Sequence, residues 1–436
     1  MTDNRQPMTS YRHHFLLDPS VIFLNHGSFG AAPRPVFETY QHWQRQLENQ
    51  PVQFLEYELL PLLADARQAL GDLVNAPAAD LVFIPNVTFG VNVVANSLDL
   101  KPGDEILSTD HEYGACANVW RYLSATRGFR FIHQPISLAG SSQPESAQPD
   151  PANQSQALYS EPDPQSPSII DQLWRGVTPN TKLIFISHIT SPTAQLWPVE
   201  QICARAADDG ILTFIDGAHA PGQIDLDLQS INADFYAGNC HKWLCAPKGS
   251  AFLFTREDRQ NLIEPLVVGW GWGDDRTLSF GSDYLDYLQW LGTDEPAAYL
   301  SVPAAIQYQE DNDWPAVRLR CHVLALQAAD RIGRLFDQSA HPSGSLDESR
   351  VHVGSETKSL CVRKQPLQMA IAPLPPTDDL RAAQRRFYQR YKIEVPFIQW
   401  RDHQLIRVSV QGYNTQSDID TLLEALAEFF APFPSS

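Results

Sequence analysis

The middle of the chain alternates short apolar, β-branched runs with longer amphipathic segments. Apolar clusters at residues 81–85, 105–108, 129–133, 182–188, 211–216, 234–237 and 250–254 have the length and composition of buried strands. Between them, segments such as residues 199–209 repeat apolar positions at helical spacing, and Gly210 follows as a C-cap signal. Strand–helix alternation of this kind predicts an α/β fold with a mostly parallel sheet covered by helices on both faces.

Two stretches break the pattern. Residues 135–168 are rich in Ser, Gln, Pro and Ala, carry acidic residues, and contain no Lys or Arg. They offer too little apolar area to offset the entropy of ordering, which predicts a flexible surface insertion at about 136–168. Residues 338–359 form a second, weaker stretch of the same type. The basic amphipathic run 379–391 and the strand-like run 405–410 then predict a smaller α+β domain. No internal repeat is visible.

Composition narrows the functional classes. A chain of 436 residues is long enough for two domains. Its longest apolar runs, 183–186 and 211–215, are too short to span a bilayer, and residues 1–18 are polar with no signal-peptide stretch. The expectation is a cytoplasmic protein with no membrane partner. A net charge of −19 argues against a nucleic-acid partner, which wants a basic face, and reads as solubility through self-repulsion. Of the six cysteines only Cys240 and Cys245 lie close together. One pair lacks the second that a zinc site would show, so reduced thiols and no metal are expected.

The chemistry concentrates between residues 211 and 254, which read ILTFIDGAHAPGQIDLDLQSINADFYAGNCHKWLCAPKGSAFLF. An apolar strand stops at Asp216 and is followed by Gly217, Ala218 and His219. A second strand leads to Asn239, His241 and Lys242. Ligands of parallel sheets sit beyond the carboxyl ends of the strands, so an acid, two histidines and a lysine project from adjacent strand ends. Pyridoxal 5′-phosphate (PLP) chemistry wants this set: an amine to form a Schiff base and a carboxylate to keep the pyridine nitrogen protonated. In FIPNVTFGVN a helix begins near Asn86-Val87-Thr88, with Gly90 in its first turn. Free N–H groups and the positive dipole end make such a place fit for phosphate.

Over nearly the whole chain, from about Phe23 to Phe429, the sequence resembles the class V aminotransferase family of fold-type I PLP enzymes. That family includes cysteine desulfurases, selenocysteine lyases and isopenicillin N epimerases. The Asp216-x-x-His219 pair and the His241-Lys242 dipeptide are the most specific part of the likeness. The resemblance implies a mostly parallel seven-stranded sheet in a large PLP-binding domain, residues 61–305. Residues 306–436 make a small C-terminal α+β domain, to which an N-terminal segment, 1–60, contributes. It also implies that Lys242 is the Schiff-base lysine, that Asp216 pairs with the pyridine nitrogen, and that His219 lies near the phenolic oxygen. Val87, Thr88, Asn239 and His241 match the family's phosphate-holding positions. Tyr113, in STDHEYGACANVW, stands where relatives stack a ring on the pyridine, with His111 the alternative. Ser191 occupies a place where many desulfurases have Asn. Gly292 and Thr293 look like the loop that reaches a partner's cofactor phosphate in related homodimers.

Arg407, in IRVSVQGYNT, resembles the arginine that grips the substrate α-carboxylate, a task suited to its planar two-donor fork. His26 is a further expected substrate-site residue. Three stretches, FLNHGSFGAAPRPV, GNCHKWLCAPKG and VVGWGWGDD, look closest to the isopenicillin N epimerase-like branch. The expected reaction passes through a Cα carbanion of an amino acid or its derivative. The alternatives are a C–S lyase, similar to desulfurases or to the lyases that cleave hercynylcysteine sulfoxide, and a non-catalytic PLP-fold binding protein. Residues 386–407 contain no cysteine to accept sulfur, which counts against a persulfide-forming desulfurase. Trp270, Trp272 and Trp290 suit either a pocket for a bulky or cationic substrate or packing in a core or dimer interface.

Overall fold

The computed structural model describes residues 10–138, 167–276, 278–336 and 366–431. Most of the Ser/Pro/Gln-rich insertion, all of the second low-complexity stretch, and Cys361 lie outside the described residues. The chain divides into two compact units. The larger comprises Gly27–Ser137 and Pro167–Trp314, and the smaller takes the described parts of Met1–His26, Leu138–Ser166 and Pro315–Ser436.

The larger unit is built on a seven-stranded sheet. Its strands are β1 (Leu81–Ile84), β2 (Glu105–Thr109), β3 (Arg130–Gln134), β4 (Thr181–Ser187), β5 (Leu212–Asp216), β6 (Phe235–Asn239) and β7 (Ala251–Thr255). Each of the seven expected runs forms a strand whose ends fall within two residues of the expectation. The order is β1-β7-β6-β5-β4-β2-β3. β7 runs antiparallel to both neighbours, and every other pairing is parallel. Strands β1, β2, β6 and β7 are buried along their full lengths, as expected where both faces of a sheet are covered. One apolar cluster joins the helices Val87–Ser97 and Gly114–Arg127 to the sheet through Val91, Val94, Trp120, Phe185, Phe214 and Leu253.

The helix Val199–Asp208 ends as its sequence signals, with Gly210 at φ +69°. The helix after β1 begins at Val87, and its side-chain cap is Asn86, whose Oδ1 accepts from Phe89 N at 2.9 Å. Thr88 is thus not the cap residue. It stands at the second helical position, whose N–H has no partner within a helix.

In the smaller unit, Met369–Pro373, His403–Ser409 and Phe397–Trp400 form an antiparallel sheet with His403–Ser409 in the centre. The expected basic run forms the helix Leu380–Tyr391, capped by Asp379. A short parallel pair, Ile22–Phe23 with Ile393–Glu394, joins the N-terminal segment to this unit.

Candidate functional site

The carboxyl ends of β5 and β6 bring the chemical residues of the larger unit together. Asp216 ends β5, and its carboxylate is 3% exposed and accepts Ala218 N at 2.9 Å. Burial pushes its pKa up, while the Ala218 N–H, the Lys242 charge and the Cys116 thiol pull it back. β6 runs on to Asn239, and a tight turn follows in which Cys245 N donates to Lys242 O. Lys242 Nζ lies 3.1 Å from His219 Nε2, and Trp243 Nε1 donates to His219 Nδ1 at 3.2 Å. The two strand ends are therefore joined by side chains as well as by the sheet.

The approach of the chain to this turn explains a glycine. Gly30, from the N-terminal FLNHGSFG run, has φ +67°, and a Cβ there would stand 2.0 Å from His241 O and 2.9 Å from Lys242 Cα. Only glycine fits beside the lysine turn at that conformation. Gly222 is constrained in the same way, with φ +80° and a Cβ position 2.4 Å from Leu244 N.

The helix N-terminus stands next to β6. Asn239 Oδ1 accepts from Val87 N at 3.1 Å, which ties the first helical residue to the strand that leads to Lys242. His241 Nδ1 contacts Ser250 O at 2.9 Å. A carbonyl only accepts, so Nδ1 carries the proton and Nε2 the lone pair of the neutral ring. Burial first, and then the Lys242 charge, lower the His241 pKa to about 4. Tyr113 precedes the helix Gly114–Arg127 with its ring 47% exposed. His111 is buried, its Nε2 on Ile136 O at 2.8 Å and its Nδ1 on Thr193 Oγ1 at 2.7 Å. Ser191 is half-buried in the loop after β4, Gly292 has φ +123°, and Thr293 is exposed. Trp270 and Trp272 are exposed at 66% and 55%, so they are not core residues of this chain.

Two residues that sequence reasoning passed over stand against Asp216. Glu112 takes hydrogen bonds from Thr109 Oγ1 at 2.7 Å and Ser187 Oγ at 2.6 Å, and Ser187 is the strand neighbour of Asp216. Burial, with the Asp216 charge adding to it, raises its pKa to about 8. Cys116, in the first turn of the helix Gly114–Arg127, is close enough to Asp216 and Thr88 for both to bear on its titration, and burial, with the Asp216 charge adding to it, pushes its thiol pKa well up.

Arg407 and His26 belong to the smaller unit. Arg407 lies on the central strand His403–Ser409, paired with Ile371, and is 3% exposed. His26 is fully buried, with Nδ1 3.0 Å from Tyr413 Oη and Nε2 3.2 Å from Gln411 Nε2. The QGYNT segment after Arg407 thus holds both edges of the His26 ring, and Asn414 Nδ2 donates to Phe23 O at 3.0 Å.

Among the described residues, no helix is long and apolar enough to cross a membrane, and no group of His, Cys, Asp and Glu is placed to hold a metal. Comparison with known proteins bears on the chemistry. A family model described as Aminotransferase class-V matches residues 22–159 and 156–343. The chain is 33% identical over 434 residues to an isopenicillin N epimerase of Amycolatopsis lactamdurans, covering 96% of this chain and 97% of that one. It is 28% identical over 363 residues to a putative L-cysteine desulfhydrase of Oryza sativa subsp. japonica, covering 80% and 69%. Among solved structures, a mutant of C-DES, a cystine C–S lyase, with glycine covalently linked to its PLP cofactor shares the fold. Its TM-score is 0.73 at 23% identity, covering 97% of this chain and all of that one.

Proposed function

The chain belongs to the aminotransferase class-V family, and from that premise we infer that it is a PLP-dependent enzyme acting on an amino acid or amino-acid derivative at Cα, with Lys242 as the cofactor's attachment point. The observation that carries this reading is the meeting of Lys242, His219 and buried Asp216 at adjacent strand ends, beside a helix N-terminus. The donor set fits the cofactor: an amine within reach, an anion deep in the protein, and a Thr88 hydroxyl with a helix-terminal N–H for phosphate. When bound, PLP supplies an electron sink that makes loss of the Cα proton accessible.

The chain's own residues do the rest. Asp216 holds a proton at the pyridine nitrogen, and its enclosure strengthens that pairing. Asn239 fixes the first turn of the helix, so that Thr88 meets the phosphate. Neutral His241 keeps only a lone pair at Nε2, so it joins the phosphate shell as a donor only when protonated, which a nearby dianion favours. Tyr113, with its ring exposed, is the better candidate than enclosed His111 to cover the cofactor face. Lys242 takes the Cα proton as general base. Arg407, a buried guanidinium, matches an α-carboxylate with two parallel N–H donors. The active protein is a cytoplasmic homodimer in which Gly292 and Thr293 serve the partner's site.

Full-length likeness at 33% to proteins named isopenicillin N epimerase makes epimerisation the first reading. The desulfhydrase relatives favour a second, C–S bond cleavage after the same proton loss. Incubation with candidate amino acids in deuterated water separates them. Deuterium at Cα with inverted configuration is the epimerase result, and pyruvate from a cysteine derivative is the lyase result. Normal turnover by Lys242→Ala in either assay would sink the reading.

A further inference from the structure

Trp243 follows the cofactor lysine directly and is fully buried. Its Nε1 donates to Nδ1 of His219 at 3.2 Å. An indole N–H donates and never accepts, so Nδ1 of His219 must present its lone pair. A neutral imidazole has one N–H, which then sits on Nε2. That edge of the ring is the one 3.1 Å from Lys242 Nζ.

The arrangement is braced from behind. Gln223, fully buried, donates from Nε2 to His219 O at 2.7 Å, and Gln309 Nε2 donates to Trp243 O at 2.8 Å. His219 and Trp243 are shielded from water, so no solvent competes for Nδ1.

We propose that Trp243 is a positioning residue that sets the tautomer of His219, making Nε2 the N–H donor that faces Lys242 and the phenolic oxygen of the cofactor attached there. The inference rests on the reading of Lys242 as the cofactor lysine. Trp243 acts only through His219. Without the indole N–H, the two tautomers compete and the donor is offered only part of the time. A donor on the phenolic oxygen stabilises its negative charge and eases proton loss from the cofactor system, so a weaker donor raises the pH of that loss.

Three measurements on the full-length, PLP-loaded protein test this. In wild type with nitrogen-15-labelled histidine, the His219 ring, assigned by its loss in His219→Gln, should carry its proton on Nε2. A proton found on Nδ1 overturns the proposal, and this readout needs no Trp243 variant to fold. In Trp243→Phe, the pH midpoint of the cofactor's visible absorbance should rise by about 0.5–1 unit, the size one neutral hydrogen bond supports. In a His219→Gln background, where an amide donates with no tautomer to choose, the same substitution should leave the midpoint in place. An equal shift in both backgrounds means that Trp243 acts by packing and overturns the assignment. A normal band with an unmoved midpoint in Trp243→Phe overturns this inference alone, whereas no Lys242-dependent band in wild type overturns the functional reading with it.

Discussion

Glu112 shows how far surroundings reset a single residue. In the unfolded chain it ionises near its ordinary value of 4.5, whereas in the folded protein burial and Asp216 hold the proton until about pH 8. Between those values the folded state binds more protons than the unfolded state, so stability falls as pH rises through the window. Its contribution is whole below pH 4.5 and lost above about pH 8. Glu112→Gln cannot ionise, so its melting temperature relative to wild type should climb from pH 5 to pH 8 and then level off. A difference independent of pH would refute the assignment. Arg407→Ala should abolish productive amino-acid binding with PLP still attached, a loss of about 2–5 kcal/mol for one partner of a buried charge pair. Near-normal steady-state kinetics in that variant would remove Arg407 from the site. Borohydride reduction should fix a pyridoxyl group on Lys242, and peptide mapping that finds the label on another lysine would contradict the assignment.

At the scale of elements, the site depends on how strands end and one helix begins. The Asn86 cap and the Asn239-to-Val87 hydrogen bond fix the first turn of the helix that presents Thr88. Asn86→Ala should cost about 1 kcal/mol of stability, the usual worth of a cap, and speed the loss of PLP on dialysis. Unchanged denaturant midpoints and retention would show that the turn is held by other means. Gly30→Ala should do more damage, because backbone atoms of the Lys242 turn fill the space its Cβ needs. Loss of the cofactor band together with a lowered melting temperature is expected, and a wild-type spectrum would show that the turn can move aside.

For the whole molecule, sedimentation should give a dimer, and Thr293→Ala should weaken cofactor retention if that residue serves the partner's site. A stable monomer with full activity would contradict both. Trp270 and Trp272, exposed in the single chain, suit an interface or a pocket better than a core. The apolar runs alone located all seven strands of the large sheet, because a sheet covered on both faces selects apolar residues, although burial is incomplete in the edge strand β3. The same pattern put Asp216, His219, Asn239 and Lys242 at adjacent strand ends, since parallel strands place all their carboxyl ends on one edge. Sequence spacing could not show that Glu112 and Cys116 crowd Asp216, or that Trp243 meets His219 through its indole N–H. Those facts depend on hydrogen bonds and burial between residues distant in the chain, such as Cys116 with Asp216. The order of residues determined which groups reach the site, and tertiary packing decided which protons they hold there, because proton affinity follows the neighbours that folding supplies.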